Sequence, residues 1–429
     1  MVSIPEDILE IMKKIAETNP VYLVGGFVRD NIIGRYTVDY NLCTNMSFDR
    51  LLQLFPDMKI EENDNINIGF LRKNNLDIEI TQMRGNTLEE DLSKRDFTMN
   101  ALACDKDGNI VDYFGGKDDL INRQIDLVQK DGSGIEDNPL RILRALRFEG
   151  THGFTLDPVT KEIINKKSYL LKSYYPDRVY SEFKRIICLD NPTNIIRENK
   201  EVFCSIVPGL RETIGFDQKN PHHIYDVFEH TLKVIENTPA DTIDGKVLRL
   251  TALFHDIGKP RTFTQDENGI GHFYGHPEVS NKAFEAFANY FQISKGTFKK
   301  VSKLIKYHDK ELSLKPMKMK RFLMEFGTED LNLLFIIKEA DMKAQNPELL
   351  EERLKKLEET KKAYFDMISS GICLSIKDLE INDDVLKDMG VEGEKIKFVL
   401  DDVLDKVTKE ELVNDRNQIV DYINNNHIK

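Results

Sequence analysis

No stretch of this 429-residue chain approaches the roughly 18 consecutive apolar residues that a membrane-spanning helix needs. Residues 1–17 carry acids at Glu6, Asp7 and Glu10 and lack a basic start followed by an apolar core, so no secretory leader is expected and a cytoplasmic location follows. There is no CxxC pair. The five cysteines (Cys43, Cys104, Cys188, Cys204 and Cys373) are scattered and odd in number, which argues for reduced thiols and against a disulfide or cysteine-metal scaffold. There is no strict internal repeat and no low-complexity segment. Positive charge is not in excess: 60 basic residues face 73 acidic ones, a net charge of −13. That excludes a protein that coats nucleic acid through bulk charge, but not one with a local basic surface. A 40% hydrophobic, 31% charged composition is that of a globular chain, and the length suits about two to four domains.

What is present divides unevenly. Ile4, Ile8, Ile11, Met12 and Ile15 recur at helical spacing within residues 1–19. Strand-like runs follow at 21–24, 38–42, 66–71, 76–81 and 110–113, with Asn74-Asn75 as a hairpin signal between two of them. From residue 139 the pattern is helical to the end, apart from a Gly-, Asp- and Asn-rich loop or small hairpin at 262–274. The expected fold class is α+β: a small mixed-sheet head followed by an all-α body.

Four groups of residues carry chemistry in the first half. In Leu23-Val24-Gly25-Gly26-Phe27-Val28-Arg29-Asp30 a strand runs through two glycines into a helix, an arrangement that lets a phosphate approach backbone N–H groups, with Arg29 as a fork-shaped donor. Asp39-Tyr40-Asn41 places two oxygen-bearing side chains on one face of a strand, and Glu79 supplies a further carboxylate; such acids can hold Mg²⁺ against a nucleotide phosphate. Asn41 brings an oxygen without charge. Lys94-Arg95-Asp96-Phe97-Thr98-Met99-Asn100 follows. Then Asn138-Pro139-Leu140-Arg141 opens a segment with Arg141, Arg144 and Arg147 at i, i+3 and i+6, on one broad helical face.

Histidine is concentrated in the second half: seven of nine lie between His222 and His308. His230, His255-Asp256, His276 and His308, joined by Asp341, form a donor set suited to Mn²⁺, Ni²⁺, Fe²⁺, Co²⁺ or Zn²⁺. Basic residues also cluster. Residues 295–321 hold ten basic residues against two acids, and 160–187 hold seven against three, candidate phosphate-contacting faces.

The ordered motifs GGFVRD, DYN, KRDFTMNA and NPLRILRALRF resemble the class II tRNA nucleotidyltransferases, the bacterial CCA-adding enzymes and their poly(A) polymerase relatives. The H…HD…D set resembles the HD phosphohydrolase superfamily, a domain that many of those enzymes carry. The resemblance implies a nucleotidyltransferase head at 1–136, a helical neck that binds nucleobase and RNA at 137–215, an HD domain at 216–350 and a tRNA-binding helical tail at 351–429. It implies nucleotide binding by Gly25, Gly26, Arg29, Arg95, Asp96 and Asn100, with base reading by Asp137 or Asn138 and Arg141 and with Arg144 and Arg147 behind. It implies catalysis by Asp39, Asn41 and Glu79 around Mg²⁺, CTP and ATP as substrates, and the tRNA 3′ end as acceptor. His230, His255, Asp256 and Asp341 match the HD ligands, and His276 and His308 the additional histidines of two-metal members.

Three departures bear on function. The family's DxD is Asp39-x-Asn41, its base-reading Asp is Asn138, and the segment from Glu79 to Asp91 is short. The expected activity is CCA, CC or A addition, weakened or specialised by these changes. The rival is a metal-dependent phosphohydrolase or phosphodiesterase whose degenerate head binds RNA or nucleotide.

Overall fold

The computed structural model describes residues 1–63 and 66–428. Its backbone contacts separate two units, residues 1–207 and 208–429.

The first unit is built on one mixed sheet. Its strands are β1 (Val21–Val24), β2 (Tyr40–Thr44), β3 (Lys59–Asn63), β4 (Ile66–Lys73), β5 (Leu76–Gln82), β6 (Leu102–Cys104) and β7 (Ile110–Asp112), in the spatial order β3-β4-β5-β2-β1-β6-β7. Only β2 and β5 run parallel; the other pairs are antiparallel. The apolar run of β1 puts it inside the sheet, where Leu23 and Val24 are fully buried. On one face Val24, Cys43, Ala101 and Ala103 pack with Leu88 and Leu92 of the helix Leu88–Ser93. The helix Glu6–Ala16 buries Ile8, Ile11, Met12 and Ile15, the stripe its spacing dictates; Ile4 lies before its start.

The β4–β5 hairpin turns at Asn74 and Asn75, with φ of 48° and 67°. Two successive left-handed residues make the turn that matches strand twist, and Asn tolerates that conformation. Two strands of this sheet escaped the sequence pattern, as did the separate short pair Gln124–Ile125 and Thr155–Leu156. β3, Lys-Ile-Glu-Glu-Asn, is an edge strand with little apolar content. β6 is three small or apolar residues, all buried, directly after a tight helical turn at Thr98–Asn100. Helices complete the unit, among them Leu140–His152, Pro158–Lys166 and Pro176–Ile187.

The second unit is helical. The helix Gly245–Phe254 is buried along almost its whole length, so it forms the centre of the helical packing. Around it stand Val227–Glu236, His276–Tyr290, Lys295–Tyr307 and Leu331–Lys343. Asp226 caps the first of these through the Glu229 N–H and Ser294 caps the third through that of Thr297. Residues 262–274 contain a small hairpin, Thr264–Gln265 paired with Gly271–His272. Past the long helix Leu350–Ser369, a separate apolar cluster around Leu386, Val403, Ile419 and Ile423 holds the last helices together.

Candidate functional site

In the first unit β1 ends at Gly25, whose φ of 72° and ψ of −129° suit glycine. A Cβ there would stand 3.2 Å from Arg95 Nη1, so the turn is close-packed against that guanidinium. The turn forms the floor of a cleft of about 540 Å³. Gly26, Arg29, Asp39, Asn41, Arg95, Asp96, Asn100, Arg144 and Arg147 all line it.

A chain of hydrogen bonds fixes the cationic wall. Arg144 donates from Nε and Nη2 to Asp96 Oδ2 at 2.9 and 2.7 Å. Asn100 Nδ2 donates to Asp96 Oδ1 at 3.0 Å, and Asn100 Oδ1 accepts from Arg29 Nη1 at 2.7 Å. Arg29 then makes a two-point contact with Asp30, at 2.8 and 3.1 Å. Burial alone would raise the Asp96 carboxyl; Arg144 and the donors around it overcome this and hold it down at about 2. Asp91 does the same work beside the glycines, accepting from both Arg84 and Arg95. The guanidiniums of Arg29, Arg144 and Arg147 all lie over the Phe148 ring, at 5.2, 5.7 and 4.5 Å from its centre. Arg147 is also anchored to Glu182 at 2.6 Å.

Asp39, Asn41 and Glu79 come together as expected. Asn41 and Glu79 are register partners across the parallel β2–β5 pair, and Asn41 Nδ2 donates to Asp39 Oδ1 at 2.9 Å. Burial and the neighbouring Asp39 push the Glu79 carboxyl above its ordinary value. A divalent cation beside Glu79 and Asp39 would relieve that raising of Glu79, so the donor set fits Mg²⁺.

The base-reading group is placed differently. Asn138 Oδ1 accepts from the Leu140 N–H at the start of the helix Leu140–His152, and Asp137 is exposed. Arg141 donates to the Lys94 carbonyl at 2.7 Å. None of the three lines the cleft. Steps of i+3 swing successive side chains about 60° around a helix, so Arg141 and Arg147 point roughly 120° apart and only Arg144 and Arg147 reach the cleft. Sequence reasoning missed Arg84, Asp91 and Phe148, although an acid four residues before Arg95 was visible as a helical pair.

In the second unit each surrounding helix brings one ligand to the end of the central one. The Nε2 atoms of His230 and His255 lie 3.3 and 3.2 Å from Asp256 Oδ2, and those of His276 and His308 lie 3.2 and 3.5 Å from Asp256 Oδ1. Asp341 Oδ1 is 3.0 Å from His230 Nε2. All four rings are oriented by backbone carbonyls at Nδ1: Ala344 for His230, Ala252 for His255, Phe273 for His276 and Ile305 for His308, at 2.7–3.2 Å. Carbonyls only accept, so each Nδ1 carries a proton, and in the neutral ring that leaves Nε2 with a lone pair. Yet the Nε2 atoms face each other in pairs, His230 with His255 at 3.3 Å and His276 with His308 at 3.2 Å. Two facing lone pairs repel unless a cation lies between them. The residues present therefore fit divalent metal: His230, His255 and Asp341 with Asp256 would form one donor group, and His276 and His308 with Asp256 a second. His223, seven residues before His230, was passed over in the sequence; its ring packs edge-on to His230 with centroids 5.2 Å apart.

Family patterns match in three places. Residues 21–126 match the poly A polymerase head domain, 153–201 the probable RNA and SrmB-binding site of polymerase A, and 222–344 the HD domain. The chain is 31% identical over 274 residues to an A-adding tRNA nucleotidyltransferase of Deinococcus radiodurans, covering 61% of this chain and 62% of the relative. It is 37% identical over 166 residues to a CC-adding tRNA nucleotidyltransferase of Halalkalibacterium halodurans, covering 39% and 44%. A multifunctional CCA protein of Actinobacillus pleuropneumoniae matches at 29% identity, over 64% of this chain and 71% of that one. The match to the first two thus spans less than two thirds of each relative's length. Among solved structures, a CCA-adding enzyme complexed with CTP superposes with a TM-score of 0.63 at 21% identity, covering 98% of this chain and 96% of that one. A Thermotoga maritima CCA-adding enzyme complexed with tRNA gives 0.60 at 21% identity, with the same coverage. No helix among the described residues is long and apolar enough to cross a membrane. Both domain types that match imply use of divalent metal. The chain thus carries a poly A polymerase head domain and an HD domain, and over these it is similar to bacterial CCA-adding tRNA nucleotidyltransferases.

Proposed function

We propose that the chain is a tRNA nucleotidyltransferase that adds C, A or both to the tRNA 3′ end from CTP and ATP. The observation that carries this is the unbroken chain Arg144–Asp96–Asn100–Arg29 over the glycine turn, which presents fixed cations where a triphosphate can approach backbone N–H groups. In this reading Gly25, Gly26, Arg29 and Arg95 orient the triphosphate. Asp39 and Glu79 hold Mg²⁺, with Asn41 contributing at most a neutral oxygen. The bound ion supplies charge neutralisation at the α-phosphate while pyrophosphate leaves. Arg144 and Arg147 face the base or its sugar. Asn138 and Arg141 read the base only after the helix start rearranges, because both are engaged elsewhere.

Domain limits of 1–136, 137–215, 216–350 and 351–429 and a cytoplasmic location belong to the same proposal. So does RNA binding by residues 295–321. Part of that cationic surface is internally neutralised: Lys300 pairs with Asp244, Lys303 with Asp330, Lys310 with Glu325 and Lys320 with Glu410. Lys295, Lys299 and Lys306 are exposed and would make the phosphate contacts.

The test supplies tRNAs lacking one, two or three 3′ nucleotides with each nucleotide and Mg²⁺, alongside Asn41→Asp. Incorporation by the unmodified chain is expected, with Asn41→Asp about tenfold or more faster, since a restored carboxylate strengthens metal binding at the reacting phosphate. Silence of both proteins would sink the reading.

A second reading has a separate observation behind it. The facing imidazole pairs support an HD phosphohydrolase centre that takes Mn²⁺, Ni²⁺, Fe²⁺, Co²⁺ or Zn²⁺. Such a centre remains competent if the head serves only to bind RNA or nucleotide.

A further inference from the structure

The imidazole–carboxylate cluster of the second unit opens into two cavities, each of about 300 Å³, near the lower end of volumes that small-molecule sites occupy. They are distinct, yet both are walled by His308, Asp309, Asp341 and Gln345. They meet at metal ligands.

Each cavity pairs a surface for a base with a cation for a phosphate. In one, His272 and Tyr274 stack with an interplanar angle of 8°, and Tyr274 is 78% exposed, leaving an aromatic face open at the mouth. Lys259 lies deeper in the same cavity, its Nζ 2.7 Å from Asp256 Oδ2. The other has an apolar wall of Leu312, Met342 and Leu357 and a cationic rim of Arg353 and Lys356. Arg353 is not loose there. It donates to Gln345 Oε1, and Gln345 Nε2 donates to Asp341 Oδ2 at 3.0 Å, so the guanidinium is tied to a metal ligand through one amide.

A phosphomonoester carries one organic substituent on phosphorus, and a cyclic nucleotide carries both of its ester oxygens on one sugar. Either fills a single cavity. An acyclic diester has two substituents diverging from one phosphorus, which matches two cavities diverging from one metal cluster. We infer that the HD centre of this chain is a phosphodiesterase for acyclic diesters with a nucleoside on each side, the linkage of an oligonucleotide. This rests on reading the cluster as a phosphohydrolase centre. The reaction is hydrolysis: the oxygen of water bonds to phosphorus, one P–O ester bond breaks, and the leaving oxygen takes a proton. The products are an alcohol and a phosphomonoester.

The test compares two probes of equal charge, adenylyl-3′,5′-adenosine and adenosine 3′-(methyl phosphate), which differ only in the second nucleoside. Calorimetric titration of the metal-stripped full chain should show the dinucleotide binding about tenfold or more tightly. Lys356→Glu, at an exposed position, and Leu357→Trp, which fills the second cavity, should each bring that ratio close to one. Equal affinity for the two probes, or a ratio that neither substitution moves, overturns the inference. A parallel assay of the Mn²⁺-loaded chain separates the two levels. Hydrolysis of p-nitrophenyl phosphate without preference for the dinucleotide leaves the phosphohydrolase reading standing and refutes the inference. No hydrolysis of any of these esters refutes both.

Discussion

At the scale of single residues, the cleft of the first unit depends on one ring. Three guanidiniums within about 6 Å of the Phe148 centre repel one another, and the ring's negative face offsets part of that repulsion. Each contact is worth about 0.5–2 kcal/mol. Phe148→Leu keeps the apolar bulk and removes that face, so the arginines lose a common footing that places them for nucleotide. The expected result is a KM for nucleotide raised about tenfold with kcat changed less, while Phe148→Tyr stays near the parent; steady-state kinetics at saturating tRNA checks it. An unchanged KM in Phe148→Leu would show that the ion pairs to Asp96 and Glu182 suffice. The residues legible from sequence are those whose chemistry is written into their neighbours. Gly25-Gly26 needs only local backbone geometry, and the four histidines with Asp256 and Asp341 form a donor set however the chain folds. Phe148 and Asp91 were not legible, because what they do depends on which side chains converge on them. Arg141 was misjudged because spacing gives a helical face but not which edge of that face meets the cleft.

At the scale of elements, the helix Leu140–His152 carries a second titratable device besides its arginines. Burial first, and then the neighbouring Glu198, push the Glu149 carboxyl up to about 7. A carboxyl raised in the folded state binds a proton that the unfolded chain has already lost. Stability on this account is full below the ordinary carboxylate range, falls as pH rises from about 4.5, and levels off above about 7. After allowance for partial exposure the loss is about 2 kcal/mol. Glu149→Gln removes the titration, so urea unfolding of the variant should lack this decline between pH 5 and 8 and be the more stable protein at pH 8. A decline as steep as the parent's would assign the pH dependence elsewhere. Elements were legible in proportion to their periodicity. Glu6–Ala16 and the Asn74-Asn75 hairpin are local patterns with local causes. β3 is an edge strand of mostly charged and polar residues, and β6 is short and buried all round; both owe their strand character to neighbours far along the chain.

At the scale of the whole molecule, two kinds of site lie in two separately packed units: a cationic cleft in residues 1–207 and an imidazole–carboxylate cluster in 208–429. The expected division into an α/β head and a helical body was visible because helical periodicity sets in near residue 139 and is broken afterwards only by short strands such as the small hairpin at 264–272. The place where the units separate, at residue 207, falls inside the helical part, where periodicity marks no change. A chain of two units need not unfold in one step. Mn²⁺ in the absence of nucleotide should act mainly on the second unit, where four imidazoles and two carboxylates converge, since the head offers it only Asp39, Glu79 and the neutral Asn41. Without ions, the second unit buries facing imidazoles and the Asp256 carboxylate with Asp341 beside them; with ions bound, these groups would become ligands. A ligand at a hundred times its dissociation constant stabilises the unit that binds it by about 2.7 kcal/mol. Calorimetric scans of the full chain with Mn²⁺ and with chelator should therefore show one transition moving by several degrees and another staying in place. Asp256→Asn, which removes the carboxylate common to both donor groups, should abolish that shift. If both transitions move together with Mn²⁺, the metal is acting on the head as well, through Asp39 and Glu79, and adding Asp39→Asn should restore the fixed one. If neither moves, the cluster does not hold Mn²⁺ in the folded chain, and another explanation for the paired imidazoles is required.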